Sequence, residues 1–260
     1  MNNKWILATD IDNTLTGNRA ALDRLREGLE HDRTRYDCFL ILSTGRRLDE
    51  VLTGFEEEGI PVPDAIISQV GTEIYLPPFR AGMAPLAEWD VMLRQQYDRA
   101  VAERFFQEIE GLELQPDRYN TRLKASCWLD QTPDPEAAAN EIEDRVRQSE
   151  HGDAYQVVWS SGRDLDIIPA AAGKGKAIHF LKDHLGLEPD TVIVAGDSGN
   201  DRSMFEAFER GIIVANAKPE LRQLAESERP GIYFAQRSYA AGVHEGLHHF
   251  GLVASRPAPV

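Results

Sequence analysis

The sequence predicts an α/β protein: a Rossmann-like, doubly wound parallel sheet as the core, interrupted by an inserted α+β unit. Three observations carry that reading. Short apolar runs alternate with helical stretches in the first and last thirds of the 260-residue chain, which is the pattern of a parallel sheet with crossover helices. The rhythm changes between about Pro78 and Ile168. Three of the apolar runs also break at once into polar clusters, as strands do at the carboxyl edge where a doubly wound sheet binds its ligands.

The elements follow in order. Trp5-Ile6-Leu7-Ala8 reads as a buried strand, followed by a helix from Arg19 to Glu30 and a strand around Leu40. A helix from Leu48 to Glu58 and a strand at Ala65-Ile66-Ile67 complete this half. Alternation resumes at Gly173 with a helix to about Leu185, then a strand at Val192-Ile193-Val194-Ala195 and a helix near Ser203 to Glu209. A strand at Ile212-Ile213-Val214, a helix after Pro219, a strand at Ile232-Tyr233-Phe234 and a last helix from about Val243 follow. The insertion reads as one long helical stretch through Pro85 to Ile109, a strand around Leu123 to Leu129, a helix after Pro135 and a hairpin turning at Ser160-Ser161-Gly162-Arg163. Residues 1–77 and 169–260 are thus expected to form the core, and 78–168 an inserted domain. A short proline-bearing tail follows Ser255.

Bulk properties narrow the function. A 42% hydrophobic composition suffices for a proper core, and no apolar stretch approaches a membrane span or a signal peptide. A cytoplasmic protein is expected. Cys38 and Cys127 lie in apolar segments without metal-type spacing, so reduced buried thiols are the default. With 28 basic and 43 acidic residues the net charge is −15, which repels nucleic acid and anionic membranes. An anionic small substrate stays compatible, because local cations such as Arg46, Lys124 and Lys174 govern a pocket more than screened distant charge does.

The chemistry concentrates at strand ends. Asp10 and Asp12 sit one residue apart just after the first strand, where two carboxylates suggest magnesium and a phosphate. A calcium loop is rejected, since Leu15 and Ala21 occupy the places of its glycine and glutamate. After the second strand, Ser43-Thr44-Gly45-Arg46 offers a hydroxyl, a close backbone approach and a helix start, a combination that can hold phosphate oxygens. Lys174 opens a helix, and Gly196-Asp197-Ser198-Gly199-Asn200-Asp201 adds a second acidic cluster. Gly173-Lys174 is not a Walker loop, because Ile168 and Gly175 stand where that motif needs glycine and a hydroxyl.

A rival motif lies near the other end. His244-Glu245-Gly246-Leu247-His248 is H-E-x-x-H, but Ala254 takes the place of a third zinc ligand, so a zinc protease is rejected in favour of solvated or capping histidines. Trp128 and Trp159 read first as core positions, with sugar stacking as the alternative. Arg163 reads as solvated. Asp166 alternates with Leu165 and Ile167, which puts it on the opposite strand face as a candidate for sugar hydroxyls.

The ordered set D-x-D-x-T, T-G-R, K and G-D-S-x-N-D resembles the haloacid dehalogenase superfamily of phosphatases. Val70-Gly71-Thr72-Glu73-Ile74-Tyr75, Leu123-Lys124-Ala125-Ser126, Ser160 to Pro169 and Gly196 to Asp201 are similar to its sucrose-phosphate phosphatase family, a pattern much shared by mannosylfructose-phosphate phosphatases. That resemblance implies hydrolysis of a disaccharide phosphate, sucrose 6-phosphate first, with Asp10 as nucleophile and Asp12 as acid and base. It implies Mg2+ held by Asp10, Asp12, Asp197 and Asp201, and phosphate held by Thr44, Gly45, Lys174 and Asn200. The insertion corresponds to the superfamily's substrate-selecting cap, with sugar contacts at Lys124, Ser126 and Asp166 and at Arg46 and Gln69 on the core rim. A disaccharide-phosphate synthase is the implied pathway neighbour.

Overall fold

The computed structural model describes residues 5–36, 38–224 and 229–253; the tail after Ser255 and the residue Ala254 lie outside them. A seven-stranded sheet runs in the order β11-β10-β9-β1-β2-β3-β4. Its strands are β1 (Trp5–Thr9), β2 (Cys38–Ser43), β3 (Ala65–Ser68), β4 (Glu73–Tyr75), β9 (Thr191–Gly196), β10 (Arg210–Ile213) and β11 (Ile232–Phe234). All pair in parallel except β4, which turns back against β3 with Ile66 opposite Tyr75. The strand order reverses at β1, so the crevice between the ends of β1 and β9 is the switch point of the sheet.

Period-two alternation explains the two layers of helices. Trp5 and Leu7 of β1 face one way, into a core shared with Leu22, Leu25 and Leu29 of α1 (Arg19–Tyr36) and Val243 and Leu247 of α9 (Tyr239–His249). Ile6 and Ala8 face the other way, against Ala177, Ile178 and Leu181 of α6 (Lys174–His184) and Phe205 of α7 (Arg202–Ala207). The remaining core helices are α2 (Leu48–Glu57) and the short α8 (Pro219–Arg222).

Between β4 and α6 the chain builds a second, antiparallel sheet ordered β5-β6-β8-β7 from β5 (Glu113–Leu114), β6 (Ala125–Trp128), β7 (Tyr155–Ser160) and β8 (Asp164–Pro169). Helix α5 (Pro135–Gln148) packs Ile142 and Val146 on it, and Asp134 caps that helix by accepting from the Ala137 N–H. The long helical stretch expected through Pro85 to Ile109 is instead two helices, α3 (Ala87–Leu93) and α4 (Arg99–Arg104). The break has a cause. Trp89 and Leu93 are buried in the main core, whereas Ala102 and Phe106 are buried against the second sheet. One straight helix cannot serve both, so the chain bends at Tyr97, whose hydroxyl donates to the Ile167 carbonyl, and restarts with Asp98 as the new N-cap. Among the described residues no helix is long and apolar enough to cross a membrane.

Candidate active site

Three neighbouring strand ends deliver two acidic groups and a hydroxyl. Asp10 follows β1, Asp197 follows β9, and Thr44 follows β2; the Asp10 N–H donates to Ala195 across the β1–β9 pair. Lys174 enters from the first turn of α6 with its whole side chain buried. Its ammonium donates to Asp10 Oδ1 at 2.7 Å, Asp201 Oδ1 at 2.6 Å and Asn200 Oδ1 at 2.9 Å. Gly71 permits this: a Cβ there would stand 2.6 Å from the Lys174 backbone nitrogen, so only glycine lets the loop after β3 press against the start of α6. Asp201 Oδ2 accepts from the backbone N–H groups of Asp197 and Ser198, folding the loop after β9 into a fixed turn.

Asp10, Asp197 and Asp201 can each offer an oxygen within 4.8 Å of the others. All three are buried, and the Lys174 ammonium pairs with two of them, Asp10 and Asp201. Burial first, then the neighbouring carboxylates, drives the Asp10 carboxyl well above its ordinary range against the pull of Lys174. Burial and Asp201 push Asp197 up to about 7. For Lys174, burial alone would lower the value, but Asp10 and Asp201 outweigh it and keep the ammonium charged. Thr14 donates to Asp197 Oδ1, while Asp197 Oδ2 is buried with no partner. A buried all-oxygen cluster with surplus negative charge and an orphaned carboxylate oxygen fits a small hard divalent cation.

A cavity of about 380 Å³ opens directly above this floor. Asp10, Asp12, Gly45, Arg46, Lys124, Asp166, Asp197 and Asn200, all singled out in the sequence, line it. Thr44 is fully buried beside it, its hydroxyl oxygen accepting from the Arg46 N–H. Gln69 is buried in a left-handed backbone conformation at the end of β3 and is not among the lining residues. Asp12 stands apart from the acidic cluster, with its half-exposed carboxylate gripped by Arg46.

The roof comes from the second sheet. Register sets Ser126 directly opposite Asp166, and Asp166 Oδ1 accepts from Lys124 Nζ at 3.1 Å and from Ser126 Oγ at 2.5 Å. Beside this buried trio, Asp164 accepts from Gln115 and from the Trp128 indole, and burial raises its carboxyl. Arg163 is not simply solvated: its guanidinium lies 4.9 Å over the Trp128 ring, and both line the cavity. Trp159 instead packs behind the second sheet. The lining residues that sequence reasoning passed over, Glu50, Gln115 and Tyr119 among them, come from loops and a helix face with no motif around them. Trp128 and Arg163 carried a signal, being a tryptophan and a turn arginine on neighbouring antiparallel strands.

The H-E-x-x-H segment lies elsewhere, on α9. His244 is buried rather than solvated, and His248 lies partly buried in the last turn of the helix. Glu245 accepts from the Tyr233 hydroxyl and from the N–H groups of Gln236 and Arg237, which ties α9 to the loop after β11. Gly246 is needed for space, since a Cβ would stand 2.5 Å from Ile212. Among the described residues, the clustered metal-ligand set is the aspartate trio.

Residues 3–251 match the family model described as sucrose-6F-phosphate phosphohydrolase. The chain is 37% identical over 260 residues to mannosylfructose-phosphate phosphatase of Agrobacterium fabrum (strain C58 / ATCC 33970), covering 95% of this chain and 97% of that one. It is 30% identical to sucrose-phosphatase 1 of Nicotiana tabacum over 96% of its own length and 60% of the tobacco protein's. The X-ray structure of sucrose-phosphatase from Synechocystis sp. PCC6803, in complex with sucrose and phosphate, superposes with a TM-score of 0.84 at 30% identity, over 98% of this chain and 100% of that one. With its parallel-sheet core and its aspartate floor, the chain is a phosphoric monoester hydrolase of the haloacid dehalogenase superfamily and belongs to the sucrose-6F-phosphate phosphohydrolase family.

Proposed function

We propose that the protein hydrolyses a disaccharide phosphate, sucrose 6-phosphate, in a Mg2+-dependent reaction through an aspartyl-phosphate. The observation that carries this reading is a single cavity with two unlike walls: an acidic floor with one buried lysine, and a roof of sugar-type hydrogen-bonding groups beside a tryptophan.

The Asp10 carboxylate attacks phosphorus as the ester P–O bond breaks, and Asp12 gives its proton to the departing sugar oxygen. Asp12 then takes a proton from water, which attacks the same phosphorus and releases phosphate and free Asp10. Splitting one displacement into two makes each easier. Thr44, Gly45, Lys174 and Asn200 hold the phosphate oxygens; the lysine ammonium already sits between Asp10 and Asn200. Asp10, the Asp12 backbone carbonyl and Asp197 would ligate Mg2+, with Asp201 supporting the site. When bound, the ion supplies positive charge against the phosphoryl oxygens and the carboxylates.

Residues 78–168 act as the cap. Lys124, Ser126 and Asp166 bond sugar hydroxyls, and Arg46 and Gln69 are assigned to the core rim. By excluding water around the ester, the cap strengthens each polar contact beneath it. A second reading, mannosylfructose phosphate as substrate, is favoured by the 37% identity to a phosphatase of that name over nearly both whole chains. In either case an upstream glycosyltransferase making a phosphorylated disaccharide must supply the substrate.

Comparing kcat/KM for sucrose 6-phosphate, mannosylfructose phosphate, glucose 6-phosphate and fructose 6-phosphate tests the assignment. Sucrose 6-phosphate is expected to be the best of the four. Preference for mannosylfructose phosphate moves the substrate to the second reading, and equal rates on all four remove the disaccharide claim.

A further inference from the structure

The Arg46 guanidinium grips two carboxylates at once. Nε and Nη2 donate side-on to Asp12 at 3.0 and 2.7 Å, while Nη1 and Nη2 donate to Glu58 at 2.5 and 2.9 Å. Glu58 lies outside the catalytic cavity, at the C-terminal cap of α2, where its N–H donates to the Gly54 carbonyl. Gly54 itself marks the crossing. A Cβ there would stand 3.1 Å from Arg46 Nη1, 3.2 Å from Glu58 Oε1 and 2.6 Å from Ile60 Cδ1. Glycine is disfavoured inside a helix relative to alanine, and α2 carries one at the turn where the clamp passes.

We infer that Glu58, acting through Arg46, is a positioning residue that fixes the Asp12 carboxylate for proton transfer at the sugar oxygen. The inference rests on the reading of Asp12 as acid and base. Asp12 is 52% exposed at its side chain and Arg46 only 15%, so Asp12 gains its fixed orientation from the arginine. The arginine in turn needs a second anchor. A guanidinium is a planar fork, and two carboxylates bound along adjacent edges fix that plane where one leaves it free to pivot. Glu58 supplies the second edge from a helix end.

A group that positions Asp12 matters only as far as the reaction needs Asp12. An alkoxide must be protonated as it leaves, whereas p-nitrophenolate leaves as a stabilised anion. The later water step, in which Asp12 is the base, is common to both esters, so the contrast is read in kcat/KM, which covers only the steps up to loss of the leaving group. We therefore expect Glu58→Ala to lower kcat/KM on the better of the two disaccharide phosphates by about tenfold, a fraction of a general acid's whole contribution. KM should stay near wild type, and the loss of kcat/KM on p-nitrophenyl phosphate should stay under about threefold. Glu58→Gln, whose amide oxygen still accepts one bond, should recover most of the rate. In an Asp12→Asn background, Glu58→Ala should cost nothing further, because the clamp then has no acid to aim. Asp49→Ala, which removes a neighbouring surface ion pair with Arg47, should leave both rates unchanged.

Equal losses of kcat/KM on the two esters, or additive losses in the double variant, overturn the positioning role. If Glu58→Ala misfolds in a thermal melt, a Glu58→Met cycle, which keeps the side-chain stem but accepts no hydrogen bond from Arg46, carries the same two criteria. If Asp12→Asn alone shows no ester dependence, the acid–base reading fails before any Glu58 variant is measured, and the clamp falls with it.

Discussion

The floor and the roof of the cavity are built on opposite plans. On the floor, Lys174, Asp10 and Asp201 are locked together with essentially no solvent exposure, and surplus negative charge waits for a cation. On the roof, each polar group already has a partner of its own: Lys124 with Asp166, Trp128 and Gln115 with Asp164, Arg163 over Trp128. A phosphate meeting the floor is held by Lys174 and by the cation that the surplus carboxylates would bind, so the gain is large and does not depend on the sugar. A substrate meeting the roof exchanges one hydrogen bond for another, and the gain comes in small increments. Rate should therefore reside in the floor and selectivity in the roof.

The sharpest way to break that division is Asp10→Asn. Its amide cannot attack phosphorus, so phosphate release should fall by more than about ten-thousandfold on every ester, the scale seen when a nucleophile is removed. Circular dichroism should remain native. Turnover near the wild-type rate from folded Asp10→Asn protein would put the chemistry elsewhere in the chain.

Metal removal comes next. EDTA should stop phosphate release on all esters and added Mg2+ should restore it. The same site also sets a pH dependence of stability. In the metal-free fold, Asp197 titrates near 7 against an ordinary 3.8, so between those values the native state holds a proton that the unfolded chain has lost. Stability therefore falls as pH rises through that window, and the penalty is complete above 7. Mg2+ should raise Tm by a few degrees at pH 8 and by much less at pH 5. In Asp197→Asn the pH dependence of the metal-free Tm should flatten. An equal Mg2+ effect at both pH values would detach the ion from these carboxylates.

The same contrast explains what the sequence disclosed. Most floor residues were legible because they follow apolar runs, and a parallel strand presents its chemistry at one end. That logic gives Asp10, Thr44 and Asp197 their neighbourhood before any coordinates, whereas Lys174, at the start of α6, is recognised from the ordered motif set. Roof contacts depend on antiparallel register and on loops, so alternation places Asp166 on its strand face, while its pairing with Ser126 and the places of Gln115 and Tyr119 come only with the fold. The break between α3 and α4 was hidden because the helical pattern continues across it; only the existence of two separate cores forces the bend. Arg46 is assigned as a sugar contact by the family resemblance alone. Its engagement with Glu58, twelve residues on, needed the path of α2.

On the roof, Lys124→Met tests selectivity. It keeps the aliphatic stem and removes the ammonium. The loss of a charged bond, about 2 kcal/mol, should reduce kcat/KM on the disaccharide phosphate by about thirtyfold. On p-nitrophenyl phosphate the loss should stay within about threefold, because that ester has no second sugar to grip. A uniform loss on both esters would show that the roof serves catalysis itself.

The smallest effect expected is at the seam between the two walls. Tyr119, from the loop after β5, donates to Glu50 Oε1 at 3.0 Å, and the other oxygen of Glu50 accepts from the Arg47 N–H at the start of α2. Across the cavity, the Ser161 N–H donates to Glu220 of α8. These two ties hold the roof over the floor on opposite rims. Tyr119→Phe removes one of them while leaving the ring and the capping of α2 in place. The lost bond is part-exposed, so its worth is about 1 kcal/mol or less, enough to raise KM for the disaccharide phosphate by about two- to fivefold. Hydrolysis of p-nitrophenyl phosphate, which draws little on the roof, should keep its KM and kcat. Thermal stability should change by no more than a degree or two, since a single exposed hydrogen bond is a small part of the fold. If the small ester suffers as much as the disaccharide phosphate, closing the roof is part of assembling the floor, and the two walls cannot be varied independently.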